Sequence, residues 1–257
     1  AQLSRGLGDV YKRQIMHCMR GADTVFMLAA KARVQPSIEN PIEYEMNNTI
    51  GTLNMLKCAS DAKVRRFVYS ASSSAYGNSK KLPLKENFEA NPMSPYGAQK
   101  FYGEVMCKVF AKVYQIQTVS LRYFNVYGER QNIDGAYALV MGIFVHQRLN
   151  NQPMTINGDG EQRRDFTYVG DVVNANILAS SSKNVGNGEV INIGNGDNRS
   201  VNQIAEMIGG PKIHLDPILE PNETLADNSL AKKLLNWEPT QKIEDWVRKY
   251  KKEIGLD

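Results

Sequence analysis

The sequence predicts an α/β protein in which a parallel sheet carries helices on both faces. Three observations predict it. From about residue 22, short apolar runs of strand length alternate with longer amphipathic stretches of helix length. The amphipathic stretches open on capping signals, Asn40-Pro41 and Ser94-Pro95 among them. No internal repeat or low-complexity linker interrupts the alternation. At 257 residues the chain is long enough to bury a sizeable core, as one large domain or two coupled ones.

The elements follow in order. Thr24 to Leu28 (TVFML) is a buried strand that ends in Ala29-Ala30. Asn40 caps a helix with Pro41 in its first turn, and the apolar pattern runs to about Ala62. Arg66 to Ser70 (RFVYS) is a second strand. Ser94-Pro95 opens a long helix through Lys112, and Thr118 to Arg122 (TVSLR) is a third strand. A helix near Leu139 to Leu149, a strand at Asp165–Val169 and a helix from Asp171 come next. Glu189 to Ile193 is another strand, a helix starts near Ser200, and short helices from Ser229 and Ile243 close the chain.

Composition narrows the class. The chain is 42% hydrophobic and 23% charged, as soluble globular proteins are. No apolar stretch reaches the roughly 18 residues of a membrane span, and no signal-peptide pattern opens the chain. Cys18, Cys58 and Cys107 lie far apart and form neither a disulfide framework nor a CxxC pair, which predicts a reducing cytoplasm. His17, His146 and His214 do not cluster with them, so no metal site is predicted. The net charge is +4, and nothing in its distribution suggests nucleic acid. The basic run Val247 to Lys252 (VRKYKK) reads as the solvated face of a last helix, with an interaction tail as the other reading.

Two motifs carry chemistry. In Tyr96-Gly97-Ala98-Gln99-Lys100 the tyrosine and lysine lie four apart, on one helix face. A phenol serves as a general base near neutral pH only with a depressed pKa, and a neighbouring ammonium and the helix N-terminus both favour the anion. Read alone, the pair is either such a couple or an accidental surface pair. Ser72-Ser73-Ser74 follows a strand, where a parallel sheet faces its ligand crevice. Read alone, it is a substrate-contacting serine or a polar turn.

Taken in order along the chain, these and further landmarks resemble the extended short-chain dehydrogenase/reductases, specifically the sugar-nucleotide 4-epimerases of the NAD-dependent epimerase/dehydratase family. The landmarks are Leu28-Ala29-Ala30, Asn48 to Thr52 (NTIGT), Ser72 to Gly77 (SSSAYG) and Ser94 to Lys100 (SPYGAQK). Arg122 to Gly128 (RYFNVYG), Gly158 to Asp171 (GDGEQRRDFTYVGD) and Ala226 to Ser229 (ADNS) complete the series. The resemblance implies a Rossmann-like doubly wound parallel sheet with a smaller α/β substrate domain. It implies residues 15–126, with a return segment at about 165–193, as the cofactor domain, and 127–164 with 194–257 as the substrate part.

The resemblance also implies roles. Tyr96 removes the 4-hydroxyl proton of a UDP-sugar while NAD accepts the C4 hydride. Lys100 holds the nicotinamide ribose and lowers the Tyr96 pKa. Ser72 hydrogen-bonds the reacting hydroxyl, with Ser73 and Ser74 lining the sugar site. Ala29, Ala30, Lys31 and Asn48 match cofactor contacts, as do Tyr123 and Phe124 beside the nicotinamide. Asn125 and Arg164 match contacts to the nucleotide diphosphate. Related 4,6-dehydratases carry an acidic pair where Ser73 and Ser74 stand, so epimerisation is favoured over elimination. Thr224, small where some relatives place a bulky gate, implies room for a 2-acetamido group. A homodimer packed through the helices near Ile42 to Ala62 and Tyr96 to Val113 is implied as well.

Two departures stand out. Pro217 and Ile218 occupy the place of a second diphosphate arginine. Residues 1–14 read as a non-native leader in which Gly6-Leu7-Gly8 is the only approximation to a GxxGxxG loop, so the first strands of the sheet are expected to be missing. That expectation predicts an open edge at Thr24–Leu28, weak NAD binding and no turnover. It also keeps open a rival reading, a non-catalytic nucleotide-binding regulator on the same scaffold.

Overall fold

The computed structural model describes residues 14–135 and 138–256. Gly6, Gly8 and all of the expected leader but its last residue therefore lie outside the described residues. The chain divides into two compact units. One comprises the residues up to Ala75 with Ser94–Arg122 and Asn176–Ile191, and the other Tyr76–Met93, Tyr123–Ala175 and the residues from Asn192 on.

The first unit is built on a four-stranded sheet of order β1-β2-β3-β7: β1 (Thr24–Met27), β2 (Arg66–Ser72), β3 (Gln117–Tyr123) and β7 (Asn187–Ile193). β1 and β2 run parallel, with Thr24 opposite Arg66 and Met27 opposite Tyr69. β2 is buried on both faces through Ala71, which explains its unbroken apolar reading. β1 ends the described sheet, and Phe26 and Leu28 are exposed there.

Residues 14–19 form α1. The helical stretch from Val34 is broken into α2 (Val34–Glu39), α3 (Pro41–Glu45), a π-helical turn (Met46–Ile50) and α4 (Gly51–Asp61). The expected cap at Asn40 is absent: its side chain makes no cap hydrogen bond. Its backbone N–H instead bonds the Pro36 carbonyl and closes α2. Ser94 does cap α5 (Pro95–Tyr114), its Oγ accepting from Gly97 N at 3.1 Å.

The core of this unit gathers Met27, Leu56, Phe67, Tyr69, Cys107 and Phe110. Each such side chain contributes about 1.5–3 kcal/mol on burial. Arg66 is buried in β2 and fans its guanidinium onto the carbonyls of Ala179, Ser182 and Val185, at 2.6–2.9 Å. It thereby ties the end of α7 (Val169–Ser181) to the sheet.

The second unit holds two smaller sheets that periodicity did not reveal. In one, β4 (Asn125–Tyr127), β6 (Arg163–Tyr168) and β8 (Asn198–Ser200) are adjacent. β4 is parallel to β6 with Asn125 opposite Phe166, and β6 is antiparallel to β8. In the other, β5 (Met154–Asn157) runs parallel to β9 (Lys212–Leu215). Four helices complete the unit: α6 (Val140–Leu149), α8 (Val201–Ile208), α9 (Ser229–Leu235) and α10 (Ile243–Ile254). α8 opens on a full capping box between Ser200 and Gln203. The core collects Tyr127, Phe144, Met154, Phe166, Ile204 and Trp246. The basic run 247–252 lies on α10, whose buried face is Ile243, Trp246 and Val247.

Candidate active site

In the first unit the sheet brings the tyrosine, lysine and serine together. Ser72 is the last residue of β2, and the chain turns there into the 3-10 stretch Ser73–Tyr76. Ser74 closes the turn on Ser72: its N–H and its hydroxyl both donate to Ser72 Oγ, at 3.2 and 2.8 Å. Tyr96 sits in the first turn of α5, half-buried, with its backbone N–H donating to Ser37 Oγ at 3.2 Å. The Ser72 hydroxyl acts on its phenol, favouring the anion.

Lys100 follows one helical turn later, buried, and Nζ donates to the Ser70 carbonyl at 2.9 Å. Among the described residues no carboxylate pairs with the ammonium, and burial lowers its pKa to about 8. The expected depression of the Tyr96 pKa is not what the structure shows. Burial raises it, opposed by the Ser72 hydrogen bond.

The loop after β1 is pinned rather than loose. Asn48, brought into the interior by the π-helical turn, accepts from Lys31 N at 2.8 Å. Its amide donates to Lys31 O and to Gln99 Oε1, both at 3.0 Å. The Tyr44 hydroxyl donates to Ala32 O at 2.6 Å. Asn48 thus holds the backbone that carries Ala29 and Ala30, while the Lys31 side chain pairs with Glu43. Sequence reasoning missed this clasp, since its partners lie 17 and 51 residues from Asn48. These residues fit the ribose end of a dinucleotide: the Lys100 ammonium, with one protein acceptor, retains donors for hydroxyl groups.

The remaining expected contacts belong to the second unit. Arg164 is buried in β6, and Nη1 donates to Arg163 O at 2.8 Å while Nη2 pairs with Glu220 at 2.6 Å. Thr224 is buried, and its hydroxyl accepts from Asp165 N at 3.3 Å. Asn125 is half-buried in β4. Tyr123 is likewise half-buried, whereas Phe124 packs in a small core with Tyr76, Leu84 and Ala226. Asp165 was not anticipated. Fully buried, it accepts from the backbone N–H groups of Asn195, Gly196 and Ala226 at 2.7–3.0 Å. Burial raises its pKa to about 6 against those donors, so it is ionised at neutral pH and clamps both segments. Gly77, ending the SSSAYG motif at φ 60°, has no room for a side chain, since a Cβ would lie 1.9 Å from the Asn91 carbonyl oxygen.

Comparison with known proteins gives this arrangement its context. The sequence profile of the NAD dependent epimerase/dehydratase family matches residues 9–194. A Methanocaldococcus jannaschii relative, whose name carries a provisional UDP-glucose 4-epimerase assignment, is 42% identical over 190 residues. Those residues are 74% of this chain and only 61% of the relative. Among solved structures, the UDP-N-acetylglucosamine 4-epimerase of Methanobrevibacter ruminantium, in complex with UDP-N-acetylmuramic acid, is similar at a TM-score of 0.85. It is 34% identical, covering 91% of this chain and 77% of that one. The UDP-glucuronic acid 4-epimerase of Bacillus cereus, in complex with UDP-glucuronic acid and NAD, is similar at 0.87. It is also 34% identical, covering 94% and 78%. This chain belongs to the NAD-dependent epimerase/dehydratase family, and its α/β fold is that of the family's nucleotide-sugar epimerases.

Proposed function

We propose that the residues of this chain carry out 4-epimerisation of a UDP-sugar, with NAD as the resident cofactor. The observation that supports it most is the Lys100 ammonium, buried and bonded to the Ser70 carbonyl one turn along α5 from Tyr96, on whose phenol Ser72 acts. Tyr96 takes the 4-hydroxyl proton, and Ser72, held by Ser74, orients the hydroxyl that loses it. Lys100 holds the nicotinamide ribose. When bound, NAD supplies a hydride acceptor that returns the hydride within one turnover. Ala29, Ala30 and Lys31 border the cofactor, on the backbone that Asn48 fixes. Tyr123 and Phe124 stand on its nicotinamide side, and Asn125 and Arg164 bind the diphosphate. An arginine fork suits phosphate oxygens, and Glu220 is the anion that holds it in their place.

The short Thr224 side chain, tied to Asp165, supports a 2-acetamido hexose as substrate. Serines at 73 and 74 give elimination no acid–base pair, which supports epimerisation over 4,6-dehydration. We place the reaction in the cytoplasm, in line with three free cysteines.

The test is to measure NAD binding by the protein and its conversion of UDP-N-acetylhexosamines, UDP-glucose and UDP-glucuronate. Turnover with unchanged product mass, lost about 100-fold or more in Tyr96→Phe with NAD binding kept, is the expected result. A product lighter by one water would establish a dehydratase. Binding without turnover on any of these sugars would leave the regulator.

A further inference from the structure

The Lys100 ammonium lies over the ring of Tyr69, 5.2 Å from its centroid. Tyr69 is in β2, beside the Ser70 whose carbonyl the ammonium bonds, and it is 1% exposed. A ring can come this close only because α5 carries glycine at 103. A Cβ there would lie 2.3 Å from Tyr69 Cζ and from its hydroxyl oxygen, and 2.6 Å from Cε1. Gly103 is three residues after Lys100, one helical turn along the same face. β2 and α5 are thus fitted to each other at the point where the lysine enters the sheet.

We infer that Tyr69 is a positioning residue for Lys100. Its ring face and the Ser70 carbonyl form a two-sided seat that holds the ammonium charged, with no carboxylate partner among the described residues. The physical need is plain. Burial disfavours the charged form, and the one neutral acceptor is a backbone carbonyl. A desolvated aromatic face is an attractive surface for an ammonium and offers no competing negative charge. A carboxylate in the same position would fix the ammonium too, but would also repel a tyrosinate nearby. The aromatic seat keeps the cation available to a ribose hydroxyl and to Tyr96. The nearest carboxylate along the helix face, Glu104, is committed to a two-pronged pair with Arg122 at 2.7 and 2.8 Å. This inference rests on the proposed role of Lys100, but its test does not depend on that role.

The test uses the chain as it exists, with carbon-13-labelled lysine, and follows the Lys100 side-chain signal against pH, assigned by its loss in Lys100→Arg. Tyr69 is replaced by Phe and then by phenylalanines bearing one, two and three ring fluorines, which weaken the negative ring face with little change of shape. The expected result is a parent titration near 8, little change in Tyr69→Phe, and a stepwise fall of about one pKa unit across the fluorinated series. A Lys100 titration that does not move with fluorination, in variants whose melting temperature matches Tyr69→Phe, would overturn the inference. NAD affinity of the same protein is measured alongside. Unchanged affinity in Lys100→Met would sink the role proposed for the lysine and leave the seat standing. A tenfold loss in Lys100→Met with no movement in the fluorinated series would do the reverse.

Discussion

Replacing Lys100 by methionine is expected to stabilise the fold, and the effect has a definite pH dependence. In the native state the ammonium is buried and its pKa falls from 10.5 to about 8. At 1.36 kcal/mol per pKa unit, that displacement corresponds to about 3 kcal/mol of unfavourable charge burial at neutral pH. Methionine keeps the unbranched length without charge. It gives up the hydrogen bond to the Ser70 carbonyl, which subtracts about 1 kcal/mol. The net gain is about 2 kcal/mol at pH 7. The sign follows from linkage. Between pH 8 and 10.5 the unfolded chain binds more protons than the native one, so parent stability rises with pH across that window. Below pH 8 the burial penalty is present in full. The advantage of Lys100→Met should therefore be greatest at pH 7 and gone by about pH 10.5. Urea unfolding of both proteins at half-unit pH steps measures it, with the slope checked for constancy. A variant less stable than the parent at pH 7, or an advantage that does not shrink with rising pH, would refute the reasoning.

Two further outcomes are expected. Arg122→Met leaves Glu104 buried and uncompensated, since their paired side chains are only 2–3% exposed. Urea unfolding at pH 7 should show a loss of about 3–5 kcal/mol, with a smaller loss in the double variant Glu104→Gln/Arg122→Met. We also propose that the chain pairs with a second copy through α3, the π-helical turn and α5. There Ile42 is 80% and Val113 63% exposed, and a groove of about 720 Å³ is lined by Pro41, Met46, Thr49 and Tyr102 among others. Sedimentation velocity should find a dimer that Val113→Asp with Ile42→Asp converts to monomer, whereas a monomeric parent would remove the proposal.

How far the sequence reached depends on whether a residue's partner is local. The strand at Thr24–Leu28 and the long helix from Pro95 were legible because their signals are apolar runs and a serine–proline cap, features of a few neighbouring residues. The short strands β4, β5, β8 and β9 were not, because three or four residues carry no period and pair with strands tens of residues away. The interruption at Met46–Ile50 was missed for a related reason. One apolar pattern spans Pro41 to Ala62, and only the requirement to bring Asn48 against Lys31 and Gln99 forces a π-helical turn into it.

The same distinction governs the candidate site. Tyr96 and Lys100 were found from their four-residue spacing, but spacing says nothing about what the ammonium faces. The expectation that Lys100 depresses the Tyr96 pKa treated the helix in isolation. The sheet beneath it supplies the Ser70 carbonyl and the Tyr69 ring, and these decide where the charge sits. A substrate that displaces the Ser72 hydroxyl from the Tyr96 phenol would meet a tyrosine whose proton burial holds in place. Under the proposed function, deprotonation at neutral pH would then draw on the cationic groups of the filled site, of which this chain supplies the Lys100 ammonium.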